Sequence, residues 1–128
     1  MKEKFIKVLK VEPHKRPEEA LLENELSALQ SAVSIGADYT GLIEVVSLDA
    51  DTCIICNEEA KLINLEPNRR LGHDVLCGVF YVAGQNKHGD FCSLSEKSMK
   101  AYAEQFAEPE DILESEVVKT LITRFFLI

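Results

Sequence analysis

Residues 54–71 read IICNEEAKLINLEPNRRL and hold the densest cluster of polar side chains able to make specific contacts. An apolar strand opens the segment, a polar turn follows at 57–61, and apolar residues at 62–65 lead back into a core. A second break follows at 66–70, where a proline fixes the backbone. We expect the two bends to converge at the rim of one sheet, which would bring an amide, carboxylates and guanidinium groups together.

Upstream of this segment, the pattern predicts one strand and one helix. Residues 5–11 (FIKVLKV) carry apolar side chains on both faces of the alternation, which is typical of a strand inside a sheet. Pro13 ends that strand, because proline lacks a backbone donor. Residues 22–33 repeat leucine and valine at helical spacing and predict a helix with Asn24 as its N-cap and a turn at Gly36.

Downstream, the pattern predicts further strands. Residues 41–48 and 52–56 form a predicted hairpin, because only a short acidic turn separates them. Residues 75–83 (VLCGVFYVA) predict another apolar strand, in which Gly78 indicates a bulge or a close approach of the backbone.

The last part of the chain is predicted to be helical. Ser93 and Glu96 have the spacing of a capping box, which predicts a helix that begins after Ser93 and ends by Pro109. Residues 112–128 predict a final helix, whose terminal FFLI docks either on the protein's own sheet or across a homodimer. The order β-α-β-β-β-α-α predicts a single α+β domain over 1–128, a small, mostly antiparallel sheet with packed helices.

Charge and composition exclude several classes of protein. The formal net charge is -8, from 14 basic and 22 acidic residues, which disfavours general nucleic-acid binding and is compatible with a basic partner. No apolar run is long enough for a membrane span or a signal peptide, so we expect a cytoplasmic protein. Residues 104–116 carry six carboxylates and no base, a pattern that fits a solvated helix face or mimicry of a phosphate ladder.

The cysteines offer two chemistries that the sequence does not favour. Cys53, Cys56, His73 and Cys77 match a zinc-ligand spacing, but an odd separation places the first two on opposite faces of a strand. Buried thiols are the favoured interpretation, and we expect no metal and no cofactor. Cys56 with His73 is the one pair worth naming as nucleophile and base, and nothing in the sequence brings them together. We therefore assign no catalytic residue.

The polar residues of the central segment suit two uses, an internal tie and the binding of a ligand or partner. Arginine's planar fork suits carboxylates and phosphates, although a glycine-rich phosphate loop is absent from the sequence. The alternative is an internal tie between an arginine at 69–70 and a glutamate at 58–59. The candidate binding residues are Asn57, Glu58, Glu59, Lys61, Asn68, Arg69 and Arg70.

Seven blocks of the chain, in order, are similar to one known family. They are IKVLKVEP (6–13), LSALQ (26–30), IEVV (43–46), ICNEEAKL (55–62), LEPNRR (65–70), DVLCGVF (74–80) and GDFCSL (89–94). The chain resembles the family called domain of unknown function 3846 over about 6–109, which leaves 110–128 as a C-terminal helical extension. The family usually has glycine where Ala60 stands, so this turn either avoids a left-handed angle or is strained.

The resemblance implies a setting in phages, plasmids or gut-bacterial mobile elements, and it implies no reaction. We therefore expect a small acidic binding module that acts by protein–protein contacts, including contacts with a host defence protein. Its expected contact sites are the loops at 57–70 and the acidic segment at 104–116. The alternative is a small-molecule or nucleotide-binding domain that uses the same loops.

Overall fold

The computed structural model describes residues 2–126, and of residues 124–126 it describes the backbone alone. The elements within that range are β1 (Phe5–Val11), β2 (Glu18–Glu23), α1 (Leu26–Ala32), β3 (Ile43–Asp49), β4 (Thr52–Asn57), β5 (Pro67–Leu71), β6 (Asp74–Cys77), β7 (Phe80–Gln85), β8 (Phe91–Cys92), α2 (Glu96–Gln105) and α3 (Glu114–Phe126). None of these helices is long and apolar enough to cross a bilayer.

The strands form one large sheet and one separate hairpin. The large sheet has the order β2-β1-β7-β4-β3, with β8 beside β7, and β5 pairs with β6 alone. Every pairing is antiparallel, so the predicted α+β class with an antiparallel sheet is confirmed. Strand β1 lies between β2 and β7, as its two apolar faces predict.

Both faces of the large sheet are covered. On one face, α2 contributes Met99 and Phe106 to a cluster with strand residues such as Phe80, whose ring meets that of Phe106 edge to face at 5.2 Å. On the other face, α1 contributes Leu29 and Val33 to a second cluster. Because successive residues of a strand point to opposite faces, β1 supplies side chains to both clusters.

A third, smaller cluster lies under α3. It joins Ala60 and Leu65 of the turn after β4, Val75 and Cys77 of β6, and Val117 of α3. The left-handed angle in this turn falls on Asn64, at φ 57°, and Ala60 is buried in the cluster instead. The predicted docking of FFLI at 125–128 concerns side chains that lie outside the described part of the chain.

The helix predicted over 22–33 is wrong in its first part. Residues 18–23 form β2, which pairs with β1, and the helix begins at Leu26. Asn24 is not an N-cap, because it is buried between strands, where its Nδ2 donates to the carbonyls of Glu3 at 2.9 Å and Phe91 at 3.1 Å. Pairing with a central strand therefore outweighs the helical spacing of the leucines.

Two further boundaries differ from the sequence prediction. The predicted strand over 75–83 is divided at Gly78, whose φ of 74° turns the chain from the hairpin into the large sheet. Residues 67–71 form strand β5 rather than a break, with the proline at the first position, where a missing donor is tolerated.

The capping box predicted at Ser93 is also wrong. The N-cap of α2 is Ser95, whose hydroxyl accepts a bond from the Ser98 amide at 3.1 Å. Ser93 Oγ instead accepts a bond from the Lys7 amide at 2.9 Å and donates one to Glu3 at 2.8 Å, so it fastens the start of β1.

A bond between Tyr102 and Asp49 gives the fold a testable pH dependence. The Tyr102 hydroxyl donates to Asp49 Oδ2, and this bond, with that from the Asp51 amide, lowers the pKa of Asp49 to about 2. A carboxyl whose folded pKa is lowered adds stability above its unfolded value, 3.8 here, and loses that stability as the pH falls toward 2.

We therefore expect Tyr102→Phe to lower the free energy of unfolding near neutral pH, and the difference from wild type to shrink as the pH falls from about 3.8 through about 2. Urea unfolding of both proteins across this range measures the difference. A difference that grows as the pH falls would show that the bond does not favour the charged carboxylate.

Candidate binding groove

A groove of about 520 Å³ lies between the β3–β4 side of the large sheet and the β5–β6 hairpin, and α3 borders it through Leu121. We call this the hairpin groove. It is lined by the turn after β4 and by side chains of β3 and β6 as well. Its larger apolar side chains are Leu42, Val46, Leu62, Leu71, Leu76 and Leu121.

Asn57 shapes one wall of the groove rather than reaching into it. It ends β4 and is buried, and its Oδ1 accepts a bond from the Glu59 amide at 2.8 Å. Its side-chain amide also packs against Gly41, where an added Cβ would lie 3.0 Å from Asn57 Nδ2. These contacts make Asn57 the residue that sets the turn at 57–59.

Lys61 is the one lysine or arginine among the described residues that line the groove, and it is paired. Its Nζ donates to Asp74 Oδ1 and, at 2.9 Å, to Thr120 Oγ1. These bonds join the turn, the hairpin and α3, so the charge of Lys61 is neutralised within the protein.

Glu58 and Glu59, in the turn after β4, are two of the four acidic residues that line the groove; the others are Glu44 and Asp74. Glu58 is exposed and Glu59 is half-buried, and both line the groove. Glu59 accepts a bond from the Tyr39 hydroxyl at 3.4 Å. In the part of the chain that the structure describes, no ion pair joins either glutamate to a lysine, arginine or histidine.

Asn68 and Arg69, predicted to bind a ligand, are fully buried in β5. Asn68 Nδ2 donates to the carbonyls of Val11 at 2.9 Å and Gly78 at 2.8 Å. The Asn68 Oδ1 accepts a bond from Arg69 Nη1 at 2.8 Å. The pair therefore joins β1, the Gly78 turn and the hairpin.

Arg69 uses the rest of its guanidinium on backbone carbonyls. Nε and Nη2 donate to the Phe106 carbonyl at 3.1 and 2.9 Å, and Nη2 also donates to that of Lys15 at 2.7 Å. Phe106 is the C-cap of α2, so the cation lies at the negative end of the helix dipole. Burial lowers the pKa of Arg69, while Glu110 and Glu108 act in the opposite direction.

Arg70 is tied to the acidic segment. It bonds Glu116 through Nε at 2.6 Å and Nη2 at 2.9 Å, and Glu110 through Nη1 at 2.9 Å. The bond from Arg70 lowers the pKa of Glu116, and these carboxylates raise the pKa of Arg70. The sequence predicted a tie to 58–59; the structure shows a tie of that kind to different glutamates, which holds α3 to the hairpin.

The cysteines of the zinc pattern lie in three different clusters. Cys53 belongs to the cluster under α1, Cys56 to that under α2, and Cys77 to that under α3. Burial raises the pKa of both Cys53 and Cys77 to about 11, which keeps these thiols protonated. Among the described residues, no group of three or more histidine, cysteine or acidic side chains is placed to hold a metal.

The seven candidate residues therefore occupy three places. Four of them line the hairpin groove, namely Asn57, Glu58, Glu59 and Lys61, and two are buried inside the protein. Arg70 lies at the α3 side of the hairpin. The sequence did not single out the apolar residues of β3 and α3 that complete the groove, because their positions depend on the fold.

The comparisons with known proteins give a family and no activity. Residues 6–107 match the model of a domain of unknown function (DUF3846), which confirms the resemblance found in the sequence. No curated protein and no solved structure matches the chain significantly. The matched region contains β1 to α2, including the turn and the hairpin of the groove, and α3 lies beyond it.

Proposed function

We propose, from the premise that the chain belongs to the DUF3846 family and from the geometry of the hairpin groove, that this protein is a cytoplasmic binding module. The groove takes an extended segment of a partner protein that carries apolar and basic side chains. The observation that carries the proposal is an apolar groove lined by two glutamates, Glu58 and Glu59, that form no ion pair with any described residue.

The size and lining of the groove support binding of side chains. Its volume of about 520 Å³ lies within the range of roughly 300–1,000 Å³ that is typical of ligand pockets. Leu42 and Leu62, two of its lining residues, are 58% and 59% exposed. Large apolar side chains that stay exposed around a concave site are typical of an interaction surface.

The charge of the groove supports a basic partner. Glu58 and Glu59 line the groove, Lys61 is paired with Asp74, and the formal net charge of the chain is -8. Such a field attracts a positively charged segment and raises the rate at which it associates.

The same charge argues against the nucleotide alternative. A phosphate needs cationic or amide donors, and the donors of Asn68 and Arg69 are used on backbone carbonyls. Arg70 is paired with Glu110 and Glu116. A phosphate placed in the groove would meet Glu58 and Glu59, so we retain a protein segment as the ligand.

The setting of the protein is part of the proposal. The family resemblance supports a role in a phage or another mobile element, where a basic host defence protein is the partner that fits the charge.

We expect the groove to select basic, apolar peptides from a library of random twelve-residue peptides displayed on phage. The enriched peptides should combine lysine or arginine with apolar residues and should not be retained by the double variant Glu58→Lys/Glu59→Lys, whose reversed charges repel them. Sequencing after selection on wild type and on the variant measures this.

The matched control is Glu18→Lys/Glu19→Lys, which makes the same change in net charge on the exposed strand β2. This control should retain the peptides as wild type does. Equal loss in both double variants would show that net charge alone attracts the peptides. A thermal-shift screen in which nucleotides stabilise the protein and peptides do not would favour the alternative ligand.

A further inference from the structure

Strand β3 forms one edge of the large sheet, since it pairs with β4 on one side only. The Glu58 amide donates to the Leu42 carbonyl at 2.9 Å, so residues 42 and 58 are a hydrogen-bonded pair of the β3–β4 ladder. In an antiparallel pair the bonded positions alternate, so positions 44 and 46 bond to β4. The backbone groups that point away from β4 are those of Ile43, Val45 and Ser47.

Strand β3 contains neither the lysine nor the proline that protects many natural edge strands from pairing. In the described part of the chain, no hydrogen bond from outside the ladder involves the backbone groups of those three residues. Natural edge strands are protected by lysine, proline, inward charges or bulges. The only irregularity in β3 lies at its end, between Ser47 and Asp49, and Val45 at its centre is 41% exposed. The opposite edge, β2, has the sequence EEALLE, with three glutamates.

We propose that β3 takes up the partner's segment as an added strand, so that main-chain bonds to 43, 45 and 47 hold the segment beside the hairpin groove. This inference rests on the proposed function and specifies how the segment binds. Strand addition obtains affinity from the main chain and specificity from alternate side chains.

The chemistry of the segment follows from the surroundings of β3. The segment residue beside Val45 lies on the face of the sheet away from the groove, where a β-branched or aromatic side chain is favoured across the strands, and its neighbours along the segment lie on the groove face beside Val46. Glu58 and Glu59 lie beside one end of the strand, and Asp49 and Asp51 lie at the other. An apolar centre with basic flanks therefore complements the edge. A second copy of this chain would instead bring together two proteins of charge -8.

The test uses the peptide most strongly enriched in the phage selection. Residue-resolved amide exchange, measured by NMR with and without this peptide, should show exchange at Val45 slowed at least about tenfold on binding. Amides of Ile43 and Ser47 should respond in the same way, while those of β2 should not.

The matched variants are Val45→Pro and Val45→Thr. Because the Val45 amide points away from β4, proline removes one outward donor and leaves the β3–β4 ladder intact. We expect Val45→Pro to weaken peptide binding at least about tenfold and Val45→Thr to leave it within about threefold. If Val45→Pro does not fold, the test uses wild-type protein and two versions of the peptide, each methylated on one of the two alternating sets of backbone nitrogens. One of these two methylated peptides should no longer bind.

Three results would overturn strand addition. If the peptide binds, depends on Glu58 and Glu59, and leaves the Val45 amide unprotected, the groove binds its ligand by another route and the proposed function stands. If the Val45 amide is protected without peptide in a concentration-dependent dimer, a second copy occupies the edge. If no enriched peptide binds at all, both the inference and the proposed function fail.

Discussion

Replacing Arg69 by methionine is expected to lower the free energy of unfolding by about 3–5 kcal/mol, because it leaves buried acceptors without donors. Arg69 is 0% exposed and donates to the carbonyls of Phe106 and Lys15 and to Asn68. Methionine fills similar volume but offers no donor. Urea unfolding at neutral pH, with the slope compared between proteins, measures the loss.

The neighbouring residue provides the control. Arg70→Met breaks ion pairs that solvent reaches and screens, so we expect it to lower the free energy of unfolding much less than Arg69→Met does. Arg69→Lys keeps the charge but loses the planar fork, so it should lie between the two. Equal losses for Arg69→Met and Arg70→Met would contradict a structural role that is specific to Arg69.

Replacing Gly78 by alanine is expected to lower the free energy of unfolding by about 2–4 kcal/mol. Two effects contribute to this loss: the left-handed backbone angle and the crowding of the new Cβ. Gly78 has φ 74°, and a Cβ built on it would lie 2.8 Å from Leu65 Cδ1 and 3.3 Å from Leu65 Cβ. Leu65 is buried in the third cluster, so it has little room to move. Thermal unfolding followed by circular dichroism measures the change.

Gly72 offers a control without crowding. Its φ is 60°, and nothing lies within 4 Å of a Cβ built there, so Gly72→Ala tests the backbone effect by itself. We expect it to cost about 1 kcal/mol. If both alanine variants lose the same stability, the contact with Leu65 adds nothing to the requirement for glycine at position 78.

Strands could be predicted from the sequence where the pattern of apolar residues and the adjoining turn lie within the segment itself. The two apolar faces of β1 and the short turn between β3 and β4 depend on residues within the segments themselves. The strand β2 could not be found this way, because its leucines also repeat at helical spacing and only pairing with β1 decides between the two. Asn24 shows the same limit, since its acceptors, Glu3 and Phe91, are distant in sequence.

Part of the candidate site could also be predicted from the sequence. The turn at 57–61 does line the groove, because a polar turn between apolar strands lies at the rim of a sheet. The role of Arg69 was not predictable, since a charged residue is rarely fully buried and its acceptors come from α2 and the loop after β1. The partners of Arg70 lie 40 and 46 positions away in the chain, so the sequence analysis proposed the nearer Glu58 and Glu59 instead.

The central claim is that Glu58 and Glu59, which line the hairpin groove, recognise a basic, apolar segment. The most direct measurement is the affinity of one selected peptide for Glu58→Lys/Glu59→Lys and for Glu18→Lys/Glu19→Lys, by calorimetry in the same buffer. We predict a dissociation constant at least about tenfold higher for the first double variant than for the second. Equal dissociation constants for the two variants would contradict the claim.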